Sequence, residues 1–368
     1  MNPRARILHI MQCANLGGME RTTVCRIRGL IDHGQICRLV SLNPIGGLGD
    51  VLQRVCIPST GLQYRGFAGT RSIPAMHREF RREPCDAVMM TGHNLAAMIA
   101  LGDLGKGHRI LCIHFHHEGV KPRWQWRLIY RLALSKFNAI TFPSDFVRRE
   151  AEAIEPALRA KSHTLPNPFE LPEIPTVEEK STARKTLGVP AGVPTVSNAG
   201  WLIARKRFDV FLRVAALVRE SFPTAIFLIA GDGPEKPHLQ ALASSLGLGQ
   251  SVKWLGWRED VSTLYKASDV LLFNSDWDAL GRTPVEAILL GTPAVVSQVH
   301  GGLWETLEPD VHVFMRRDHD IGWLSSRVEY LFRNPVDSSA MVHRARIHLQ
   351  STASPERDLA ELSRLMRL

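Results

Sequence analysis

Long apolar runs are missing from this 368-residue chain: none reaches the length of a membrane-spanning helix. The start, Met-Asn-Pro-Arg-Ala-Arg, leads into a strand-like segment instead of a secretory signal, so the expected location is the cytosol. Cysteine is sparse and lopsided, with six residues at positions 13, 25, 37, 56, 85 and 112 and no Cys-x-x-Cys pair. This argues against a disulfide framework or a cysteine zinc site and for small buried residues. Short repeats and low-complexity tracts are absent, as are helix-turn-helix, zinc-finger and RNA-binding motifs. Acidic charge is scarce in the first half. Residues 1–170 hold 23 Lys and Arg against 13 Asp and Glu, while the remainder holds 22 against 23, so the whole net charge of +9 belongs to the first half. Such a patch favours an anionic partner.

A hydrophobic content of 45% is ordinary for a soluble protein, and the length suggests two cores. Both halves alternate short apolar runs with helical patterns, which predicts an α/β protein with mostly parallel sheets. In the first half, strands are expected at 6–11, 36–42, 87–90, 109–113 and 139–142. Gly17-Gly18-Met19-Glu20 lies between the first strand and a helix, where glycines let backbone N–H groups approach a phosphate. His114-Phe115-His116-His117-Glu118 follows the strand at 109–113. A metal is disfavoured there, because paired ligands on a helix or hairpin are absent. Lys121–Lys136 mixes Arg123, Arg127 and Arg131 with Trp124 and Leu128, a composition suited to an anionic membrane surface or to a helix packed on its own domain. Residues 171–194, rich in Pro and Glu, are expected to be a linker.

In the second half, strands are expected at 195–199, 225–231, 251–255, 270–273 and 294–297. The first is followed by Gly200-Trp201-Leu202-Ile203-Ala204-Arg205-Lys206, the second by Gly231-Asp232-Gly233, and the third by Gly256. The richest stretch is Asn274 to Gly291, reading Asn-Ser-Asp-Trp-Asp-Ala-Leu-Gly-Arg-Thr-Pro-Val-Glu-Ala-Ile-Leu-Leu-Gly. An acidic loop is expected up to Gly281, then a helix capped by Thr283, with Pro284 first and Glu286 completing a capping box. A helix N-terminus at the carboxyl end of a strand suits a phosphate.

This stretch resembles the acidic signature of retaining, family-4 glycosyltransferases of the GT-B type, with Gly281 and Glu286 in place and Asp278 where Glu is usual. Gly17-Gly18-Met19-Glu20, Lys206 and the Gly301-Gly302 turn also match. Pro166-Asn167-Pro168 is similar to a Pro-Asn-Gly entry into the second domain. Trp201 departs from a usual Arg, and Arg205 is the nearest substitute. The resemblance implies two Rossmann-like domains facing a cleft: 1–170 for the acceptor, 195–350 for a nucleotide-diphosphate sugar, and a terminal helix 355–368 crossing back onto the first. It implies that Gly17, Gly18, Lys206, Arg205, Arg282 and Thr283 meet the diphosphate. Glu286 would hold the ribose, Asp278 and His114 the sugar, and the backbone near Leu255 and Gly281 further parts of the donor. His116 and Glu20 are further candidates for sugar or acceptor.

No metal or cofactor is required by this reading, and the acceptor would be a glycan or lipid-linked hydroxyl, as in polysaccharide or glycolipid synthesis, at a peripheral membrane location. Two alternatives remain. One is another enzyme of the same architecture, such as a nucleotide-sugar epimerase or a phosphorylase, the latter lacking a recognisable pyridoxal phosphate lysine. The other is a basic nucleic-acid-binding or anion-binding protein with a vestigial donor cleft.

Overall fold

A computed structural model describes residues 4–15, 17–64, 72–105, 107–114 and 121–367. The chain divides into two compact units, one of residues 1–169 with 353–368 and one of residues 170–352.

The first unit is built on seven strands: β1 (Arg6–Met11), β2 (Ile36–Ser41), β3 (Ser59–Gly61), β4 (Ala87–Thr91), β5 (Arg109–Cys112), β6 (Ala139–Phe142) and β7 (Ser162–Thr164). They pair in parallel in the order β3-β2-β1-β4-β5-β6-β7. Strands covered on both faces read as continuous apolar runs, and β4 through β6 are buried along their whole length. Three helices matter below: α1 (Gly18–Asp32), α2 (Arg123–Lys136) and α3 (Asp145–Ile154). The terminal helix Pro355–Met366 packs into this unit's core through Leu359, Leu362, Leu365 and Met366. A buried bidentate pair pins it, with Arg26 Nε and Nη2 donating to the Asp358 carboxylate at 2.8–3.1 Å.

The second unit has six parallel strands: β8 (Thr195–Ala199), β9 (Ile226–Ala230), β10 (Val252–Gly256), β11 (Val270–Asp278), β12 (Ala294–Gly301) and β13 (Phe314–Arg316). Their order is β10-β9-β8-β11-β12-β13. Numbered within the unit this is 3-2-1-4-5-6, the doubly wound order whose direction reverses between the first and fourth strands, here β8 and β11. Phe211, Phe227, Leu272 and Val295 lie at the centre of its core.

Two expectations change here. Residues 171–194 are not a bare linker. They contain α4 (Val177–Thr186), which starts with a capping box between Thr176 and Glu179 and belongs to the second unit. The acidic stretch Asn274–Asp278 is not loop, because β11 continues through it, pairing Trp277 with His300 and Asp278 with Gly301 of β12. Ser275, with its hydroxyl donating to the Trp277 carbonyl, and Asn274, whose Nδ2 donates to Ser297, place polar partners within this buried strand. Of the six cysteines, Cys37 and Cys112 are buried, while Cys56 is exposed.

Candidate active site

The second unit also contains α5 (Phe208–Ser221) and α6 (Arg282–Leu289). The N-cap of α6 is Gly281, whose φ of +86° suits glycine, and not Thr283 as expected. With the helix starting at Arg282, Glu286 falls too far along to reach the cap, so the capping box does not form. Glu286 instead accepts from Arg282 Nε at 3.1 Å, one turn earlier. Thr283 Oγ1 donates to the Ala199 carbonyl at 3.3 Å, tying the N-terminus of α6 to the end of β8. This joint stands between β8 and β11, where open α/β sheets bind ligands.

Lys206 ends a short 3₁₀ turn, Ala204–Lys206, just before α5. Its ammonium pairs with the Asp278 carboxylate at the end of β11 and lies 5.0 Å from the Phe273 ring centre. Burial pushes the Asp278 carboxyl up, but the Lys206 ammonium outweighs it and holds the group below the usual carboxylate range. The backbone N–H of Gly281 also donates to Asp278 at 3.3 Å. Arg205 stacks over Trp277 at 4.1 Å and donates to its carbonyl at 3.1 Å. Lys206, Asp278, Gly281, Arg282, Thr283 and Glu286 are thereby brought to one edge of the sheet, with Arg205 alongside. Leu255 lies further along the same edge, at the end of β10.

A supporting network was not visible in the sequence. Arg207, in left-handed backbone with φ of +45°, donates to Asp209 at 3.0 Å and to Asp276 at 3.2 Å. His319 joins Asp276 at 2.9 Å to the Ser297 hydroxyl at 2.6 Å, and Asn274 donates to Ser297 at 2.9 Å. The network fixes the backbone next to Lys206. Its members come from four separate segments, and only the position of Asp276 two residues before Asp278 could have drawn notice.

In the first unit, Gly17 is the N-cap of α1 and Gly18 its first residue. Glu20 is buried against them. A Cβ on Gly17 would fall 2.3 Å from Glu20 Oε2, and Cys13 Sγ donates to Glu20 Oε1 at 3.5 Å. Burial pushes the Glu20 carboxyl up. His114 is partly buried just beyond β5, and His116 lies outside the described residues. Among the described residues no three His, Cys, Asp or Glu side chains cluster as metal ligands do.

In α2, Trp126, Ile129, Tyr130 and Ala133 face the core, leaving Trp124 and Leu128 exposed. The basic side is not free. Arg123 and Arg127 donate to the carbonyls of Ala153 and Ile154 at the end of α3, at 3.0 and 3.2 Å. Arg131 pairs with Glu155 at 3.0 Å. No described helix is long and apolar enough to cross a membrane.

Two doubly wound units, each with an end-of-strand loop opening onto a helix N-terminus, define the GT-B class. Anabaena HepE, solved in complex with UDP-glucose, shares this fold with a TM-score of 0.84 at 18% identity, covering 99% of this chain and 100% of that one. The model described as "Glycosyl transferases group 1" matches residues 179–348, and "Glycosyltransferase Family 4" matches residues 16–172. By these two domains the chain belongs to the group 1 glycosyltransferases. It is 31% identical over 121 residues to the lipopolysaccharide core biosynthesis glycosyltransferase LpsE of Rhizobium meliloti, 33% of this chain and 34% of that protein. It is 30% identical over 190 residues, 49% of each chain, to a GDP-mannose-dependent monoacylated alpha-(1-6)-phosphatidylinositol monomannoside mannosyltransferase of Corynebacterium glutamicum. The chain thus spans about half or less of the curated relatives it matches.

Proposed function

We propose that this protein transfers a sugar from a nucleoside-diphosphate sugar to a hydroxyl of a glycan or glycolipid, with retention of anomeric configuration and without a metal. The observation that carries the reading is the Lys206–Asp278 pair beside the N-terminus of α6, with Glu286 one turn into that helix. The bond from the anomeric carbon to the diphosphate breaks. A bond to the acceptor oxygen forms on the same face, and the acceptor proton leaves with the diphosphate. Negative charge grows on the departing group. Lys206 and the N-terminus of α6 provide fixed positive charge for it, the task a metal would otherwise perform. Glu286 suits the ribose hydroxyls as a carboxylate acceptor, and Asp278 suits the sugar. Retention is supported by the resemblance of the Asp278–Gly281–Glu286 spacing to the retaining family. A nucleotide sugar is supported by the UDP-glucose bound to HepE and by the GDP-mannose dependence of the corynebacterial relative.

The lipopolysaccharide and phosphatidylinositol relatives support a glycolipid acceptor handled at a membrane surface, where Trp124 and Leu128 supply exposed apolar contact. A melting-temperature screen with UDP, GDP and their sugars in chelator tests the donor reading. A nucleotide at one hundred times its dissociation constant stabilises by roughly 2.7 kcal/mol. No shift at millimolar nucleotide would end the proposal.

A further inference from the structure

A cavity of about 320 Å³ opens in the second unit between α7 (Ile321–Arg333) and α8 (Pro335–Thr352), two helices joined by Asn334 alone. That volume is at the small end of ligand sites. Arg327, Tyr330 and Leu331 line it from α7, and Asp337, Ala340, Met341 and Arg344 line it from α8. These positions recur every three or four residues, so one face of each helix is turned to the cavity. Phe314, the first residue of β13, and Asp310 complete the lining. The cavity therefore lies at the amino end of the sheet, away from the carboxyl-end edge that holds Lys206 and Asp278.

The lining is polarised. Phe314, Leu331 and Met341 are buried and form an apolar floor. Beside the joint, the Tyr330 hydroxyl donates to Asp337 at 2.6 Å, and both groups keep oxygen lone pairs to accept from a ligand. Arg327 and Arg344 stand further from the joint along their helices. The Arg327 guanidinium lies 5.3 Å from the Phe314 ring centre and 5.6 Å from that of Trp323. Its Nε is buried without a hydrogen-bond partner among the described residues, a costly state for a charged donor. Arg344 engages only its Nε, which donates to the Val311 carbonyl at 3.1 Å. Among the described residues neither guanidinium is within ion-pair distance of a carboxylate, Asp310 and Asp337 included.

We infer that this cavity binds a small organic anion. Its carboxylate or phosphate would sit between Arg327 and Arg344, its apolar or aromatic body over Phe314 and Met341, and a hydroxyl or amino donor against Tyr330 and Asp337. Guanidinium groups present forked donors that match such anions. An inorganic anion would leave the apolar floor uncovered and Tyr330 and Asp337 unused. A simple cation would face two guanidiniums. No residue of the cavity belongs to the donor edge, so the inference stands apart from the donor reading.

Calorimetry with three single-ring probes tests it: 4-hydroxyphenylacetate, phenyl phosphate and tyramine. The first carries all three features and should bind at millimolar concentration, and tyramine, its cationic counterpart, should not. Arg327→Met and Arg344→Gln keep the side-chain stems, and each should weaken 4-hydroxyphenylacetate about tenfold, as loss of one charge-assisted bond does. Ala340→Phe removes no charge at an exposed helix position and should abolish binding by filling the cavity, with its unfolding midpoint as the check on folding. Tighter binding of phenyl phosphate than of 4-hydroxyphenylacetate would identify the anionic group as a phosphate ester, and the reverse as a carboxylate. Wild-type affinity in folded Ala340→Phe, or displacement of the probe by UDP, would put the anion elsewhere and overturn the site. So would failure of both anions to bind, or tyramine binding as tightly as they do.

Discussion

At the residue scale, Lys206 and Asp278 pull donor binding in opposite directions. The ammonium is engaged by the carboxylate, with side-chain exposures of only 14% and 21%. A diphosphate must share or displace that partner. Asp278→Asn should therefore bind nucleoside diphosphate as tightly as wild type or a few-fold more tightly, yet transfer sugar more slowly. Lys206→Ala should weaken the nucleotide and slow turnover by a larger factor, because charge on the leaving group grows toward the transition state. Calorimetry beside single-turnover rates separates the two, and an unchanged rate in Lys206→Ala would pass the diphosphate to Arg205. Glu286→Gln loses an ion pair with Arg282 across one helical turn, a stability cost of about 0.3–0.5 kcal/mol. If Glu286 accepts from both ribose hydroxyls, nucleotide affinity should fall about tenfold or more, since bonds to a charged acceptor contribute roughly 1.5–3 kcal/mol. Wild-type affinity would leave the residue only its bond to Arg282.

At the scale of elements, the strands were legible because parallel strands buried on both faces leave unbroken apolar runs, as in Val270–Phe273 and Ile226–Ala230. The strand order was not, since periodicity carries no information about neighbours; it entered through the resemblance. The site's signature positions were legible as spacing, but their local geometry was not. Thr283-Pro284 and Glu286 satisfy every cue for a capped helix, and the positive φ of Gly281 moved the start two residues earlier. Asn274–Asp278 reads as loop because polar residues in a central strand are costly, and only the partners Ser297, His319 and Arg207 make it strand. Helix α2 shows the same limit. Its basic face suggested lipid, but Arg123 and Arg127 meet carbonyls at the end of α3, where cations are favourable against the helix dipole. Replacing Arg123, Arg127 and Arg131 with Gln should therefore destabilise the first unit by about 1–3 kcal/mol, at roughly 0.3–1 kcal/mol per cation. Trp124→Ser with Leu128→Ser should leave stability alone and reduce sedimentation with anionic vesicles. An unchanged unfolding midpoint in the triple variant would refute the first expectation, and unchanged sedimentation the second.

At the scale of the molecule, the first unit depends on a segment that returns to it from the far end of the chain. Arg26 and Asp358 are 332 residues apart, and no local pattern pairs them. Burial alone would push the Arg26 pKa down, but the Asp358 carboxylate holds it above the usual value. Asp358→Ala would leave a buried guanidinium without its anion, a change that costs about 3–5 kcal/mol, and should loosen the terminal helix. Beneath this pair lies His9 on β1, fully buried, with neither ring nitrogen hydrogen-bonded. Burial first, and the Arg26 charge second, push its pKa from 6.5 down to about 3. The native unit therefore holds a neutral His9 at a pH where the unfolded chain takes up a proton. The associated stability is fully present above pH 6.5 and is lost progressively as the pH falls from there toward 3. Linkage gives a loss of about 2 kcal/mol between pH 7 and pH 5. Hydrogen exchange of the β1 and β2 amides reads this unit without interference from the other. Their protection should fall steeply over that interval in the wild type and much less in His9→Leu, which has nothing to titrate. Parallel pH profiles for the two proteins would mean that other groups govern the acid lability of this unit.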